Sequence, residues 1–139
     1  AEMLGAPIVI IAKRRPEPNK SEVKEIIGDV RGKVCVMIDD MIDTAGSITS
    51  GASAICDQGA KAVYACCTHP VLSDDAIHKL ADSPIERILV TDTIPLGSEK
   101  MNPKIEIISV APLLADAIRR IHDDRSVSEL FDLYSVGQL

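Results

Sequence analysis

Five short apolar runs, set apart by segments with helical periodicity, constrain what this chain can fold into more than any other feature of its sequence. The runs are Ile8 to Ala12, Val34 to Ile38, Ala62 to Thr68, Arg87 to Thr91 and Ile105 to Val110. They are continuous rather than alternating, the pattern of strands covered on both faces. Along Ser47 to Gln58, Ile48, Ala52 and Ile55 recur at helical spacing, and Gly59 is a natural stop. Ser73 is placed to cap a second helix with Asp74 and Asp75 in its first turn. In that helix Ile77, Leu80 and Ala81 face inward, and Ser83-Pro84 ends it. Pro112 suits the start of a third helix, with Leu114, Ala117, Ile118 and Ile121 as an inward stripe. Strand alternating with helix predicts an α/β fold around a parallel sheet.

At 139 residues the chain fits one domain, able to bury roughly 70% of its unfolded surface. The core is aliphatic: there is no Trp, and the aromatic residues are Tyr64, Tyr134 and Phe131. With a formal charge of −6 and no stacking platform, the chain is a poor partner for nucleic acid. No apolar run approaches the roughly 18 residues that span a bilayer. Ala1 to Pro7 contains Glu2 and lacks the layout of a signal peptide. Cys35, Cys56, Cys66 and Cys67 sit in apolar segments without disulfide spacing, as small hydrophobes of a reducing compartment do. A cytoplasmic setting is expected. Residues 13 to 21 are polar and proline-bearing and read as an exposed, mobile loop. Ala1 to Gly5 reads as the last turn of a helix whose start is missing, so the protein is expected to continue upstream.

The chemistry concentrates in Val36-Met37-Ile38-Asp39-Asp40-Met41-Ile42-Asp43-Thr44-Ala45-Gly46-Ser47-Ile48-Thr49. A hydrophobic strand ends in two acids, and a short turn then opens a helix. Open α/β sheets bind ligands at the C-terminal edge of their strands. At a helix start the backbone N–H groups and the positive end of the dipole suit a phosphate. Gly46 allows close backbone approach, and the Thr44 and Ser47 hydroxyls add hydrogen bonds. An ionised Asp39 or Asp40 can accept two hydrogen bonds from a vicinal diol. Diol at one end and phosphate at the other describes ribose 5-phosphate.

This pattern resembles the phosphoribosyl pyrophosphate-binding loop shared by type I phosphoribosyltransferases and ribose-phosphate pyrophosphokinases. Three further stretches resemble the pyrophosphokinases. They are Lys13-Arg14-Arg15-Pro16, the run Val63-Tyr64-Ala65-Cys66-Cys67-Thr68-His69-Pro70-Val71-Leu72-Ser73, and the tail from Val110 to Phe131. The likeness is closest to the C-terminal domain of the bacterial-type, phosphate-activated class. It implies a type I phosphoribosyltransferase-like fold for residues 1–139, N-terminally truncated, lacking the first strand and the N-terminal ATP-binding lobe. It implies that Asp39 and Asp40 serve the ribose hydroxyls while Asp43, Thr44, Ala45, Gly46 and Ser47 wrap the 5-phosphate. Lys13 and Arg15 become the catalytic pair, Arg15 also touching ribose 5-phosphate. Ser126, Ser128 and Phe131 become contacts for the effectors phosphate and ADP. ATP as co-substrate, Mg²⁺ in the parent enzyme and a homo-oligomer, a hexamer in the intact family, complete the expectation. On this view the chain alone is inactive. Two other readings remain open: a noncatalytic homologue associated with the synthetase, and a phosphoribosyltransferase using the same loop.

Read without the resemblance, Ser126 and Glu129 have the spacing of a capping box. Cys66, Cys67 and His69 do not form a metal site on this reading, because adjacent strand residues face opposite ways. His78 and His122 are expected on helix surfaces.

Overall fold

In the computed structural model the described residues are 5–14 and 23–130, with only the backbone described at Lys13, Arg14, Val23 and Lys24. The chain divides into two compact units, Val9–Ile108 and a second made of Ala1–Ile8 with Ser109–Leu139.

The larger unit is built on a four-stranded sheet of β3 (Val34–Ile42), β4 (Ala62–Pro70), β5 (Ile85–Thr91) and β6 (Ile105–Ile108), in that spatial order. Every neighbour in it is parallel. The expected α/β class with a parallel sheet is what the chain forms. Its first strand pair stands apart: β1 (Ile10–Arg14) runs antiparallel to β2 (Val23–Ile27). The run expected over Ile8 to Ala12 is therefore a strand of a separate two-stranded sheet, and β2 went unforeseen. Val23-Lys24-Glu25 interrupts its apolar residues with charge, which hid the strand.

One face of the large sheet is closed by helix α1 (Gly46–Asp57), whose Ile48, Ala52 and Ile55 are buried as the spacing predicts. Gly51 on the same helix comes so close that an added Cβ would fall 2.8 Å from the tip of Met37. Gly59, at φ +90°, turns the chain out of α1, a conformation that costs an L side chain about 1–2 kcal/mol. Helix α2 (Ala76–Asp82) adds Ala76 and Leu80 to the core. These join Val63, Ala65, Cys67, Ile85, Ile88, Val90 and Ile105 in one cluster. The opposite face is not closed as expected: Val34, Val36 and Ile38 of β3 are exposed, Ile38 by 67%.

Helix α2 begins later than the capping pattern suggested. Asp75 precedes its first turn and no side chain caps it, because the Ser73 hydroxyl is engaged by Asp43 instead. Its other end is held by a cation. Lys104 Nζ donates to the carbonyl oxygens of Ala81 at 2.7 Å and Ser83 at 2.8 Å, with Leu80 at 3.4 Å. An ammonium there meets both the unpaired carbonyls and the negative end of the helix.

In the smaller unit, α3 (Ala111–His122) starts with Pro112 in its first turn, as predicted. Its apolar stripe does not face inward: Leu114, Ile118 and Ile121 are exposed, Ile118 by 67% and Ile121 by 65%. The residue this helix buries is Arg120, whose guanidinium donates to Glu129 Oε2 at 2.7 Å and to the Ser126 carbonyl at 3.0 Å. No helix among the described residues is long and apolar enough to cross a membrane.

Lys104→Met keeps the aliphatic stem and removes the ammonium. It should lower stability by about 2 kcal/mol, a fall of roughly 6 °C in the thermal midpoint followed by circular dichroism. An unchanged midpoint would contradict the role given to Lys104.

Candidate functional site

Strand β3 runs four residues past the predicted apolar stretch, so Asp39 and Asp40 lie within the strand and not in a turn after it. Both are exposed. Asp39 Oδ1 accepts the Asp40 N–H at 3.0 Å. After Ile42, which is buried, the chain turns through Asp43, Thr44 and Ala45 into α1. Ala45 carries the turn: it has φ +60° and is only 5% exposed, its methyl packed in the core. Its carbonyl accepts the first helical bonds, from Thr49 N–H at 3.1 Å and Thr49 Oγ1 at 2.8 Å. The N-cap residue Ala45 offers α1 no side-chain bond, and no acidic residue stands in its first turn. Gly46 and Ser47 open the helix and are exposed. A turn of this kind at a helix start directs successive N–H groups toward one region, which suits an anion.

The turn is braced by the segment that follows β4. Leu72 N–H donates to the Ile42 carbonyl at 3.0 Å and Ser73 N–H to the Asp43 carbonyl at 3.1 Å. The Ser73 hydroxyl donates to the Asp43 carboxylate. Lys79 Nζ reaches the Thr44 carbonyl at 3.2 Å. One strand further on, the hydroxyls of Thr91 and Thr93 donate to the Thr68 carbonyl at 2.6 and 2.8 Å. The Thr93 hydroxyl lies 3.0 Å from His69 Nδ1. The sequence reading gave Ser73, Lys79, Thr91 and Thr93 no place at the site, since their partners lie far off in the chain.

The chain thus brings Asp39, Asp40, Asp43, Thr44, Ala45, Gly46 and Ser47 to one strand end and one helix start. Lys13 lies in β1 opposite Lys24 in the strand register. Arg15 and Phe131 fall outside the described residues, as does most of the loop expected over 13 to 21. Ser126 and Ser128 belong to the smaller unit, their hydroxyl oxygens 2.6 Å apart. Ser126 and Glu129 build no capping box: the Glu129 carboxylate binds Arg120, whose pKa its hydrogen bond raises further.

Cys67 is buried and Cys66 half-buried, and burial pushes both thiols up from the usual range. Neither is a ready nucleophile at neutral pH. Among the described residues no three His, Cys, Asp or Glu side chains converge to hold a metal ion. A cleft of about 280 Å³ lined by Gly28, Asp29, Val30, Arg31, Asp57 and Gln58 lies before β3 and after α1, at the edge away from the acids.

Residues 7–132 match the family described as the phosphoribosyl synthetase-associated domain. A ribose-phosphate pyrophosphokinase of Clostridium tetani is 54% identical over 132 residues, which is 95% of this chain and 41% of that protein. One of Oceanobacillus iheyensis is 55% identical over 132 residues, again 95% of this chain and 42% of the relative. The chain therefore spans well under half the length of the curated relatives it matches. The crystal structure of phosphoribosylpyrophosphate synthetase from Mycobacterium smegmatis superposes with a TM-score of 0.78 at 38% identity, covering 86% of this chain and 38% of that one. A parallel α/β sheet and a match over nearly all its residues place the chain in the phosphoribosyl synthetase-associated domain family.

Proposed function

We propose that this chain is the ribose 5-phosphate-binding part, the C-terminal domain, of a ribose-phosphate diphosphokinase. The observation that carries the reading is one piece of geometry. Two exposed acids in the C-terminal half of β3 are followed, six residues after Asp40, by a helix start whose N-cap residue makes no side-chain bond and whose first turn holds no acidic side chain. Carboxylates can hold a diol, and the amides at the helix start can hold a phosphate. A sugar phosphate presents both.

In the proposed reaction the anomeric hydroxyl attacks the β-phosphorus of ATP. A new oxygen–phosphorus bond forms, the bond from the β-phosphorus to the α-phosphate oxygen breaks, AMP leaves, and the hydroxyl proton is lost. The diphosphoryl group moves intact to give phosphoribosyl pyrophosphate. Charge grows on nonbridging oxygens, so cations placed beside them lower the barrier. Lys13 and Arg15 are assigned that task. Asp39 and Asp40 orient the sugar, and Asp43 to Ser47 anchor its phosphate. Mg²⁺ is assigned to the phosphates of ATP. With no converging ligand set among the described residues, no step on this chain is routed through it. Contacts to ATP are assigned to segments outside this chain, which spans 41% of a relative such as the Clostridium tetani protein, so the chain alone is expected to be inactive. Phosphate and ADP as effectors at Ser126, Ser128 and Phe131, a homo-oligomer and a cytoplasmic setting belong to the same reading.

Calorimetric titration of the chain with ribose 5-phosphate should give saturable binding, with ribose alone weaker by about a hundredfold. Asp39→Ala should cost about tenfold. Equal affinity for ribose and ribose 5-phosphate, or no binding by the folded chain, would contradict the site. For the activity, this chain can replace its counterpart in the Clostridium tetani enzyme. The chimera should make phosphoribosyl pyrophosphate, and Lys13→Ala in it should lower turnover about a hundredfold. Near-normal turnover in that variant would remove Lys13 from the mechanism.

A further inference from the structure

Three consecutive carbonyl groups at the turn all accept hydrogen bonds from one segment of chain. Ile42 is held by Leu72 N–H, Asp43 by Ser73 N–H, and Thr44 by Lys79 Nζ. A trans peptide is planar, and its C=O and N–H point in opposite directions. The peptides here are trans. Holding the carbonyl of one residue therefore turns the N–H of the next residue the other way. The amides of Asp43, Thr44 and Ala45 are each directed away from the atom that holds the preceding oxygen. The Asp43 carboxylate is held separately, by the Ser73 hydroxyl.

The bracing segment is itself in an unusual conformation. Leu72 and Asp74, on either side of Ser73, have φ of +48° and +49°, which L residues rarely adopt. Leu72 is 2% exposed and anchors the segment in the core. Between Leu72 and Asp74, Ser73 presents both its amide and its hydroxyl to Asp43. Electrostatics supplies the reason. Asp39, Asp40 and Asp43 crowd one strand end, and a carboxylate free to swing into the anion site would repel a phosphate.

We infer that Ser73 and Lys79 are positioning residues for the phosphate site, Lys79 by fixing the Thr44–Ala45 peptide and Ser73 by holding the Asp43 carboxylate aside. The inference rests on the ribose 5-phosphate reading above. Neither residue touches the sugar phosphate in this account. Lys79 sets the direction of the Ala45 N–H, and Ser73 keeps the nearest acid paired.

The test is calorimetry with ribose 5-phosphate, together with amide spectra of the ¹⁵N-labelled chain, on the unaltered protein and four variants. Lys79→Met should weaken binding about tenfold, and Lys79→Arg should restore it, with thermal midpoints unchanged. In the unaltered chain and in Lys79→Arg, ribose 5-phosphate should shift the Ala45 amide proton downfield. In Lys79→Met that response should be lost. Ser73→Ala should weaken binding about tenfold and Ser73→Thr should recover it. A purely structural role would lower thermal midpoints without singling out the Ala45 amide. If the unaltered chain binds and Lys79→Met and Ser73→Ala bind equally well with the same Ala45 response, the positioning role is wrong and the sugar-phosphate reading stands. If the unaltered, folded chain binds no ribose 5-phosphate, the sugar-phosphate reading fails and takes the positioning role with it.

Discussion

Parallel pairing of β3 with β4 runs without a slip from Val34 opposite Ala62 to Ile42 opposite Pro70. That register delivers the ends of both strands to the same level, so the chain leaving β4 meets the chain leaving β3. Leu72 and Ser73 can then bond to Ile42 and Asp43, and α2 carries Lys79 to Thr44. A shift of one residue would move Val63, Ala65 and Cys67 from the covered face to the other and misalign the two turns. Burial of those side chains against α1 and α2 thus fixes the backbone bonds at the site.

Charge at the site is arranged locally and against the balance of the whole chain. The protein carries a formal charge of −6, and its candidate anion site follows directly on three acids. Asp43 is paired with Ser73, while Asp39 and Asp40 remain exposed at the strand end. Backbone amides and a helix start provide the positive potential, where a basic pocket would use side chains. Net charge argues about nonspecific partners such as nucleic acid. It does not decide whether a single phosphate can be held.

Much of this was legible in the chain. Ile48, Ala52 and Ile55 declared the buried face of α1, and the acids with Asp-Thr-Ala-Gly-Ser declared the strand-to-helix turn. What failed did so for definable reasons. The stripe of Leu114, Ile118 and Ile121 shows which face of α3 would gain from cover, but periodicity cannot say that cover is present. Ser73 has the propensity of a helix cap, yet a charge-assisted bond to Asp43 competes with that role and prevails. Lys79 and Thr93 reach partners 35 and 24 residues away, and no local pattern encodes such meetings. Strand β2 has its apolar residues split by Lys24 and Glu25 and pairs outside the main sheet, so it shows no continuous apolar run.

The most direct test of the account is a crystal structure of the chain grown with ribose 5-phosphate. The phosphate should lie within hydrogen-bond distance of backbone amides between Thr44 and Ser47, with the sugar hydroxyls against Asp39 or Asp40. Sugar phosphate bound elsewhere, or bound in the reverse sense with its phosphate away from the start of α1, would contradict it.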